Sequence, residues 1–351
     1  MSPVPDIIDV WLAEGRAGVD RLASLPANAP HLALVPAGQA EMPSAQMLAE
    51  SQIVSAIAKG RRDATADPRW SFRDLDRLVN TMTPGELWVV GASSGNGKTA
   101  LMFSQMTAFA EAGVPVLYLP LEMEPDDMRR RWAAWELGLD MEFTAKNQWS
   151  RLPEGARDRH EQTLARQVDS LIQIPDDRQI TLTNLAKWMH WGIDCFGARI
   201  VVIDHFHRID FEDSRAKDFR VQVTKAVRDL KDLARQHQVV IVATAQLNSV
   251  NDPLDPYLPP TKQRLKESSA LHEEADVVLM LSRRLSAAIG KEDLNRIRMG
   301  AASVRDFADP NVMLVTCRKH RLADSRACDR SVRLAVTDGK VGDLARSWET
   351  A

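Results

Sequence analysis

The fold of this chain is decided by one stretch, Gly91-Ala92-Ser93-Ser94-Gly95-Asn96-Gly97-Lys98-Thr99. An apolar run at 87–90 precedes it, and a helical pattern over 99–112 follows it. A glycine-rich turn between a strand and a helix presents backbone N–H groups and the positive end of the helix dipole, which together bind phosphate. The pattern begins at Ala92, where a glycine is more usual, so the match is inexact at one position. In this context the stretch predicts a phosphate-binding loop rather than an ordinary glycine-rich turn.

The residues of this loop predict a nucleotide and a metal ion as cofactors. Lys98 would neutralise the β- and γ-phosphates, and the Thr99 hydroxyl would ligate Mg²⁺. We therefore expect ATP and Mg²⁺. The backbone groups that would surround the phosphates belong to Ser94, Gly95, Asn96 and Gly97.

Two carboxylates follow other apolar strands. Asp204 ends the run Ile200-Val201-Val202-Ile203, at the strand edge where open α/β sheets bind ligands, and would hold Mg²⁺, through water. Glu122 comes just after the run at 116–119, where a carboxylate can polarise the attacking water. The alternative for Glu122 is a surface glutamate near a helix N-terminus, where the dipole favours it.

The order of elements predicts an α/β fold. Short buried-type strands alternate with helices, which favours a mostly parallel sheet covered by helices on both faces, with antiparallel strands at the C-terminal end. Ser71, with Asp74 three residues on, predicts a capping box that opens a helix to Val79, and one continuous helix is expected at 182–195. The predicted strands lie at 87–90, 116–119, 171–174, 199–203, 239–243, 277–281, 312–316 and 332–335.

Composition separates the N-terminal part from the rest. Six of the eighteen prolines fall before residue 45, which predicts a flexible segment at 1–44. The predicted organisation continues with a linker-helix region at 45–67, an ATPase domain at 68–340 and a tail at 341–351.

Charge and cysteine content limit the function classes. The net charge of −3 lacks the basic footprint of a monomer that grips a long nucleic acid, although a ring of subunits can share a few positive side chains. The three cysteines, without a CxxC pair, predict neither a disulfide framework nor a zinc site. With no apolar run of about 18 residues and no signal-peptide pattern, we expect a cytoplasmic protein without a membrane partner.

Several short motifs occur in a fixed order along the chain. They are the phosphate loop, Leu121-Glu122-Met123, Ile203-Asp204, Ala245-Gln246-Leu247-Asn248, Leu265-Lys266-Glu267-Ser268 and Glu273-Glu274-Ala275-Asp276-Val277-Val278. Over about 68–335, their order and spacing resemble the DnaB-type replicative helicases. The resemblance implies a RecA-like P-loop NTPase core and an ATP-dependent DNA helicase that forms a hexamer and translocates on single-stranded DNA in replication, with other replication proteins as partners. The short N-terminal part suggests a phage- or plasmid-like form.

The resemblance also implies roles for residues outside the phosphate loop. Gln246 matches the family's polar sensor of the γ-phosphate, with a polar strand cap as the alternative. Lys319 and Arg321 match a Lys-x-Arg pair that reaches the neighbouring subunit's nucleotide. A solvated basic hairpin is the alternative, and Arg318 takes the role if the register slips by one.

The DNA-facing loop departs from the family pattern. The family usually has arginine, glutamate, serine and glycine where this chain has Lys266-Glu267-Ser268-Ser269, so a bidentate phosphate contact is lost. The residues expected to contact DNA are Lys262, Arg264, Lys266, Glu267 and Ser269. A loader, a recombination mediator or a regulatory or defence ATPase that does not unwind DNA stays open as the alternative function.

Overall fold

The computed structural model describes most of the chain after residue 67. The described residues are 68–167, 170–175, 181–209, 219–248, 252, 254, 257–261, 264–265, 269–285, 289–322 and 328–344. The predicted segments 1–44 and 45–67 lie outside these residues, as do Lys262, Lys266 and Glu267. No helix within the described ranges is long and apolar enough to cross a membrane.

A nine-stranded sheet forms the centre of the molecule, in the order β3-β2-β4-β5-β1-β6-β7-β8-β9. The first six strands are parallel, and the last three continue the sheet in antiparallel pairing. The strands are β1 Leu87–Ala92, β2 Val116–Pro120, β3 Ile172–Gln173, β4 Ile200–Asp204, β5 Val240–Gln246, β6 Val277–Leu285, β7 Ala308–His320, β8 Ser331–Thr337 and β9 Lys340–Asp343.

Helices connect the parallel strands. In chain order they are α1 Arg73–Val79, α2 Lys98–Glu111, α3 Pro125–Glu136, α4 Met141–Ala145, α5 Ala156–Gln167, α6 Leu182–His190, α7 Phe219–His237, α8 Ser269–Glu274 and α9 Lys291–Arg298. Short 3₁₀ turns lie at Trp149–Arg151, Phe206–Arg208 and Val304–Phe307, and a π turn lies at Trp191–Cys195.

Both faces of the central parallel strands are buried, because side chains alternate along each strand and helices cover both sides. In β1, Trp88 and Val90 pack into one apolar cluster with α2 and α3. Leu87 and Val89 face the opposite side and pack with α6 and α7. The central parallel strands β1, β2 and β4 are therefore mostly apolar rather than alternating, as the sequence predicts for parallel strands covered on both faces.

Four local details differ from the sequence predictions. The capping box is wrong: Phe72 is the N-cap of α1 without a side-chain bond, and Ser71 instead bonds through N and Oγ to Oε1 of Gln105. The helix expected at 182–195 ends as an α-helix at His190 and continues as the π turn. Helix α9 was not predicted, and β9 extends to Asp343, past residue 340.

Candidate nucleotide site

The phosphate loop lies between β1 and α2, as the sequence predicts. Its strand ends at Ala92, and its 14-residue helix begins at Lys98. Gly97 has φ 86°, in the left-handed region, and a Cβ there would come within 2.6 Å of the Met313 side chain. The left-handed conformation therefore favours glycine at this position, whereas the flexible end of the Met313 side chain can move aside.

Lys98 points back across the loop towards the end of β1. Its Nζ donates to the Ala92 carbonyl at 3.2 Å. Burial lowers the pKa of Lys98, while the negative charges of Asp204 and Glu122 act in the opposite direction. The structure thus brings Lys98 within electrostatic reach of both predicted carboxylates.

Asp204 is buried at the carboxyl end of β4 beside the start of α2. The Thr99 hydroxyl lies 3.4 Å from its Oδ2, Tyr118 donates to that oxygen at 2.9 Å, and Thr244 donates to Oδ1 at 2.5 Å. Burial raises the pKa of Tyr118 well above its usual value, helped by the charge of Asp204 and the hydrogen bond to it, so the phenol stays a donor. A hydroxyl and a carboxylate that supply few hard oxygen donors fit Mg²⁺ bound mainly by water and phosphate.

Glu122 lies three residues before α3, and its charge acts on Lys98. Its side chain is 49% exposed, and Oε2 is 3.8 Å from Nε2 of the buried His205. Burial lowers the pKa of His205, with the carboxylates Glu122 and Asp204 opposing this shift, which favours a neutral ring beside Glu122. The position leaves the Glu122 carboxylate accessible to water at the mouth of the site.

Gln246 and Arg283 complete the surroundings of the loop. Gln246 is the exposed last residue of β5 and pairs with Ala92 of β1. The Arg283 guanidinium lies near the loop, since a Cβ on Gly97 would be 4.0 Å from its Nη2. Sequence reasoning missed Arg283, Tyr118 and Thr244, because a polar residue inside an apolar strand gives no sign of which distant group it faces.

Lys319 and Arg321 lie at the end of β7 and contact the C-terminal end of α8. Nζ of Lys319 donates to the carbonyls of His272 and Glu273 at 2.7 and 2.6 Å. Nη2 of Arg321 donates to the Glu273 carbonyl at 3.0 Å, and its Nη1 is 3.7 Å from Oδ1 of Asp276. Burial lowers the pKa of Lys319, and the charge of Arg321 adds to this shift.

These two basic residues are remote from the phosphate loop of the same chain. In β6, Val278 pairs with Lys319 and Leu281 pairs with Ala92 of the phosphate loop. At 3.3 Å per residue, these two positions of β6 are about 10 Å apart along the strand. The Lys-x-Arg pair therefore lies towards the amino edge of the parallel sheet, and the phosphate loop lies at its carboxyl edge. Arg318 instead bonds to Asp329 and to the Pro259 and Pro260 carbonyls.

The predicted DNA-facing residues are only partly described. Arg264 donates through Nε and Nη2 to the Asn248 carbonyl, at 2.8 Å for Nε. Ser269 is the first residue of α8, directly after the segment with Lys266 and Glu267. The structure brings Arg264 and Asn248 together, and the role of Arg264 in DNA contact stays a prediction.

Comparison with protein families matches residues 69–326 to the DnaB-like helicase C-terminal domain. The replicative DNA helicase DnaB of Leifsonia xyli is 26% identical over 218 residues, 60% of this chain and 46% of that protein. The corresponding helicase of Helicobacter pylori strain 26695 is 25% identical over 240 residues, 67% of this chain and 47% of that protein. The chain thus spans about half the length of these curated relatives.

Two solved structures show the same fold. One, described as an ATPase domain, superposes with a TM-score of 0.63 at 20% identity, covering 84% of this chain and 98% of that one. A DnaB-like replicative helicase, described with its interactions with primase, gives a TM-score of 0.65 at 19% identity, covering 86% and 71%. The predicted RecA-like core, with its mostly parallel sheet and antiparallel C-terminal strands, is confirmed.

Proposed function

Because the chain belongs to the family of DnaB-like helicase C-terminal domains, we propose that it is the ATP-hydrolysing motor of a hexameric helicase that moves along single-stranded DNA. One observation carries the proposal: Lys98, Thr99, Asp204 and Glu122 lie together at the carboxyl edge of the sheet. A bare nucleotide-binding site needs the first two, whereas a hydrolase also needs the carboxylates.

The chain's own residues account for binding and for activation of water. The N–H groups of the loop and the Lys98 ammonium hold the β- and γ-phosphates of ATP. Glu122 polarises the water that attacks the γ-phosphorus, and the bond to the β-phosphate oxygen breaks, releasing ADP and phosphate. Burial lowers the pKa of His205, which favours a neutral ring 3.8 Å from the Glu122 carboxylate.

Thr99 and Asp204 would hold Mg²⁺ at this site. The ion, when bound, supplies positive charge to the phosphate oxygens. Tyr118 and Thr244 orient the Asp204 carboxylate, because each donates a hydrogen bond to a different oxygen. Two donors on different strands therefore hold the carboxylate in one direction.

The position of Lys319 and Arg321 supports a shared active site in a ring. Both contact the amino-edge side of their own sheet, away from their own loop. An arginine offered from a neighbouring subunit stabilises charge that develops during phosphoryl transfer. Arg321 is 40% exposed even with its contact to Asp276, so its guanidinium is open to a neighbour.

The test is hydrolysis and strand displacement on a forked DNA with a single-stranded tail. Wild type should hydrolyse ATP faster when single-stranded DNA is added, and should displace the strand only with ATP and Mg²⁺. Lys98→Ala is the matched control, and it should do neither. DNA-stimulated hydrolysis without strand displacement would contradict the helicase proposal and favour a loader, a recombination mediator or a regulatory ATPase. If wild type hydrolyses no ATP at all, the ATPase proposal is contradicted as well.

A further inference from the structure

Three titratable side chains outside the nucleotide site lie together on the helical layer beside β4 and β5. They are His190 at the end of α6, Asp194 in the π turn and His237 at the end of α7. Each offers one ligand atom within 4.8 Å of the others. We propose that these residues form a second metal site, which takes a late first-row divalent cation such as Zn²⁺.

The donor set suits such a cation. Two imidazoles and one carboxylate are ligands that zinc takes in proteins, with water in the fourth position. Nδ1 of His237 is 3.9 Å from Oδ1 of Asp194, and the rings of His190 and His237 are 4.8 Å apart between centroids. Ligand atoms about 2.0 Å from a tetrahedral ion are roughly 3.3 Å apart. Side-chain rotations that move these ligand atoms by about 1 Å would therefore bring them to the spacing that a metal ion needs.

Burial gives the group a reason to hold a cation. The side chains of Asp194 and His237 are only 7% and 6% exposed. A buried carboxylate is costly unless a positive charge accompanies it. Nδ1 of His190 is also buried, and within the described part of the chain it has no hydrogen-bond partner. A bound metal ion would place positive charge beside the Asp194 carboxylate, and a His190 ring nitrogen could coordinate it.

The local backbone favours positive charge at the same place. His237 is the last residue of the 19-residue helix α7, whose C-terminal end carries partial negative charge. Asp194 lies in a π turn, a feature that often marks functional sites inside helices. These two observations are independent of the distances within the group.

The location indicates a structural role rather than a part in hydrolysis. Asp194 and His237 precede the first residues of β4 and β5, whereas Asp204 ends β4. The length of β4 alone separates the two ends by about 13 Å. A metal ion here would link α6 and the π turn to the end of α7, at the amino edge of the parallel strands and away from the nucleotide site.

The first experiment measures metal binding directly. The untagged full chain is stripped with chelator and titrated with Co²⁺, whose visible absorption reports its coordination geometry. We expect one equivalent with a tetrahedral spectrum, abolished by one equivalent of Zn²⁺. Absence of the spectrum, or a six-coordinate spectrum, would overturn the proposal and leave the Asp194–His237 pair as an ion pair only.

The second experiment uses variants to test whether His190 is one of the residues that bind the metal. His190→Ala removes a half-buried ligand and should weaken Co²⁺ binding at least about tenfold, whereas Lys187→Ala, exposed on the same helix, should leave it unchanged. Zn²⁺ should raise the melting temperature of wild type and Lys187→Ala but not that of His190→Ala, because only a native site links binding to stability. Equal binding by all three proteins would overturn the assignment, since it would put the metal elsewhere, for example on His205 and His207.

Discussion

The hydroxyl oxygen of Thr99 lies 3.4 Å from Oδ2 of Asp204, although 105 positions separate the two residues. The parallel pairing of β2 with β4 and of β4 with β5 places the end of β4 two strands from the phosphate loop, with β5 between them. Because Tyr118 and Thr244 already bond to the same carboxylate, Asp204 reaches Mg²⁺ most easily through water.

Asp204→Asn should therefore raise the Mg²⁺ concentration needed for half-maximal ATP turnover by about 10- to 100-fold, because it removes an outer-shell partner of the metal. A Mg²⁺ titration of hydrolysis measures this effect, and an unchanged midpoint would contradict the assignment.

Glu122→Gln should separate nucleotide binding from turnover. The substitution keeps the shape of the side chain and removes the charge that polarises water, so kcat should fall by about 10²- to 10⁴-fold while ATP affinity stays near wild type. Glu124→Gln, two residues on and exposed, is the matched control and should hydrolyse ATP normally. Hydrolysis by Glu122→Gln at the wild-type rate would show that another group activates the water.

A mixing experiment tests whether active sites are shared between subunits. Arg321→Ala has an intact phosphate loop, and Lys98→Ala has an intact Lys-x-Arg pair. In mixed rings some sites receive both working halves, so the mixture should hydrolyse ATP faster than either variant alone. The composition of the rings is checked by native mass measurement. Absence of rescue in rings shown to be mixed would mean that each subunit hydrolyses ATP unaided.

Lys266 is the residue of the predicted DNA-facing loop whose loss is simplest to measure. Lys266→Ala should weaken binding to single-stranded DNA and reduce the slope of log affinity against log salt by about 0.7, the value of one phosphate contact on a single strand. Lys291→Ala, exposed at the start of α9, is the control for a general change in charge. Identical salt titrations for wild type and Lys266→Ala would remove this loop from the DNA path.

Lys231 and Asp276 form a buried ion pair whose disruption should destabilise the domain. Their side chains are 6% and 8% exposed, Nζ of Lys231 also donates to the Gly85 carbonyl at 2.7 Å, and Asp276 accepts from the Leu87 N–H at 2.8 Å. Lys231→Met removes the nearer of the two cations beside this buried carboxylate and leaves only Arg321, whose Nη1 is 3.7 Å from Oδ1, so it should cost about 3 kcal/mol of unfolding free energy. Urea denaturation measures the loss.

The control for this pair is the ion pair of exposed Arg228 with half-buried Glu274, in which the side chains are 63% and 28% exposed. Arg228→Ala should have a much smaller effect, because water screens exposed charges. The double variant Lys231→Met, Asp276→Leu should recover part of the stability, since no charge is then left buried. Equal losses for the buried and exposed pairs would contradict this account.

The sequence by itself determined the phosphate loop, the apolar strands and Asp204, because these depend on local backbone chemistry and on short periodic patterns. It also placed Glu122 and Gln246 after strands, and parallel strands bring such positions to one edge of the sheet. The capping box at Ser71 failed, since the local pattern could not show that Gln105, 34 residues away, would take the Ser71 N–H and hydroxyl.

Only the tertiary structure decided which distant groups meet. Tyr118 and Thr244 converge on Asp204 because of strand order, and Lys319 faces α8 because β7 runs antiparallel to β6. His190 and His237 come together with Asp194 because two helices end beside each other, although 47 positions separate the histidines in the printed sequence. Such contacts depend on long-range packing, which no local spacing encodes, and this is the physical reason that they cannot be read from the sequence.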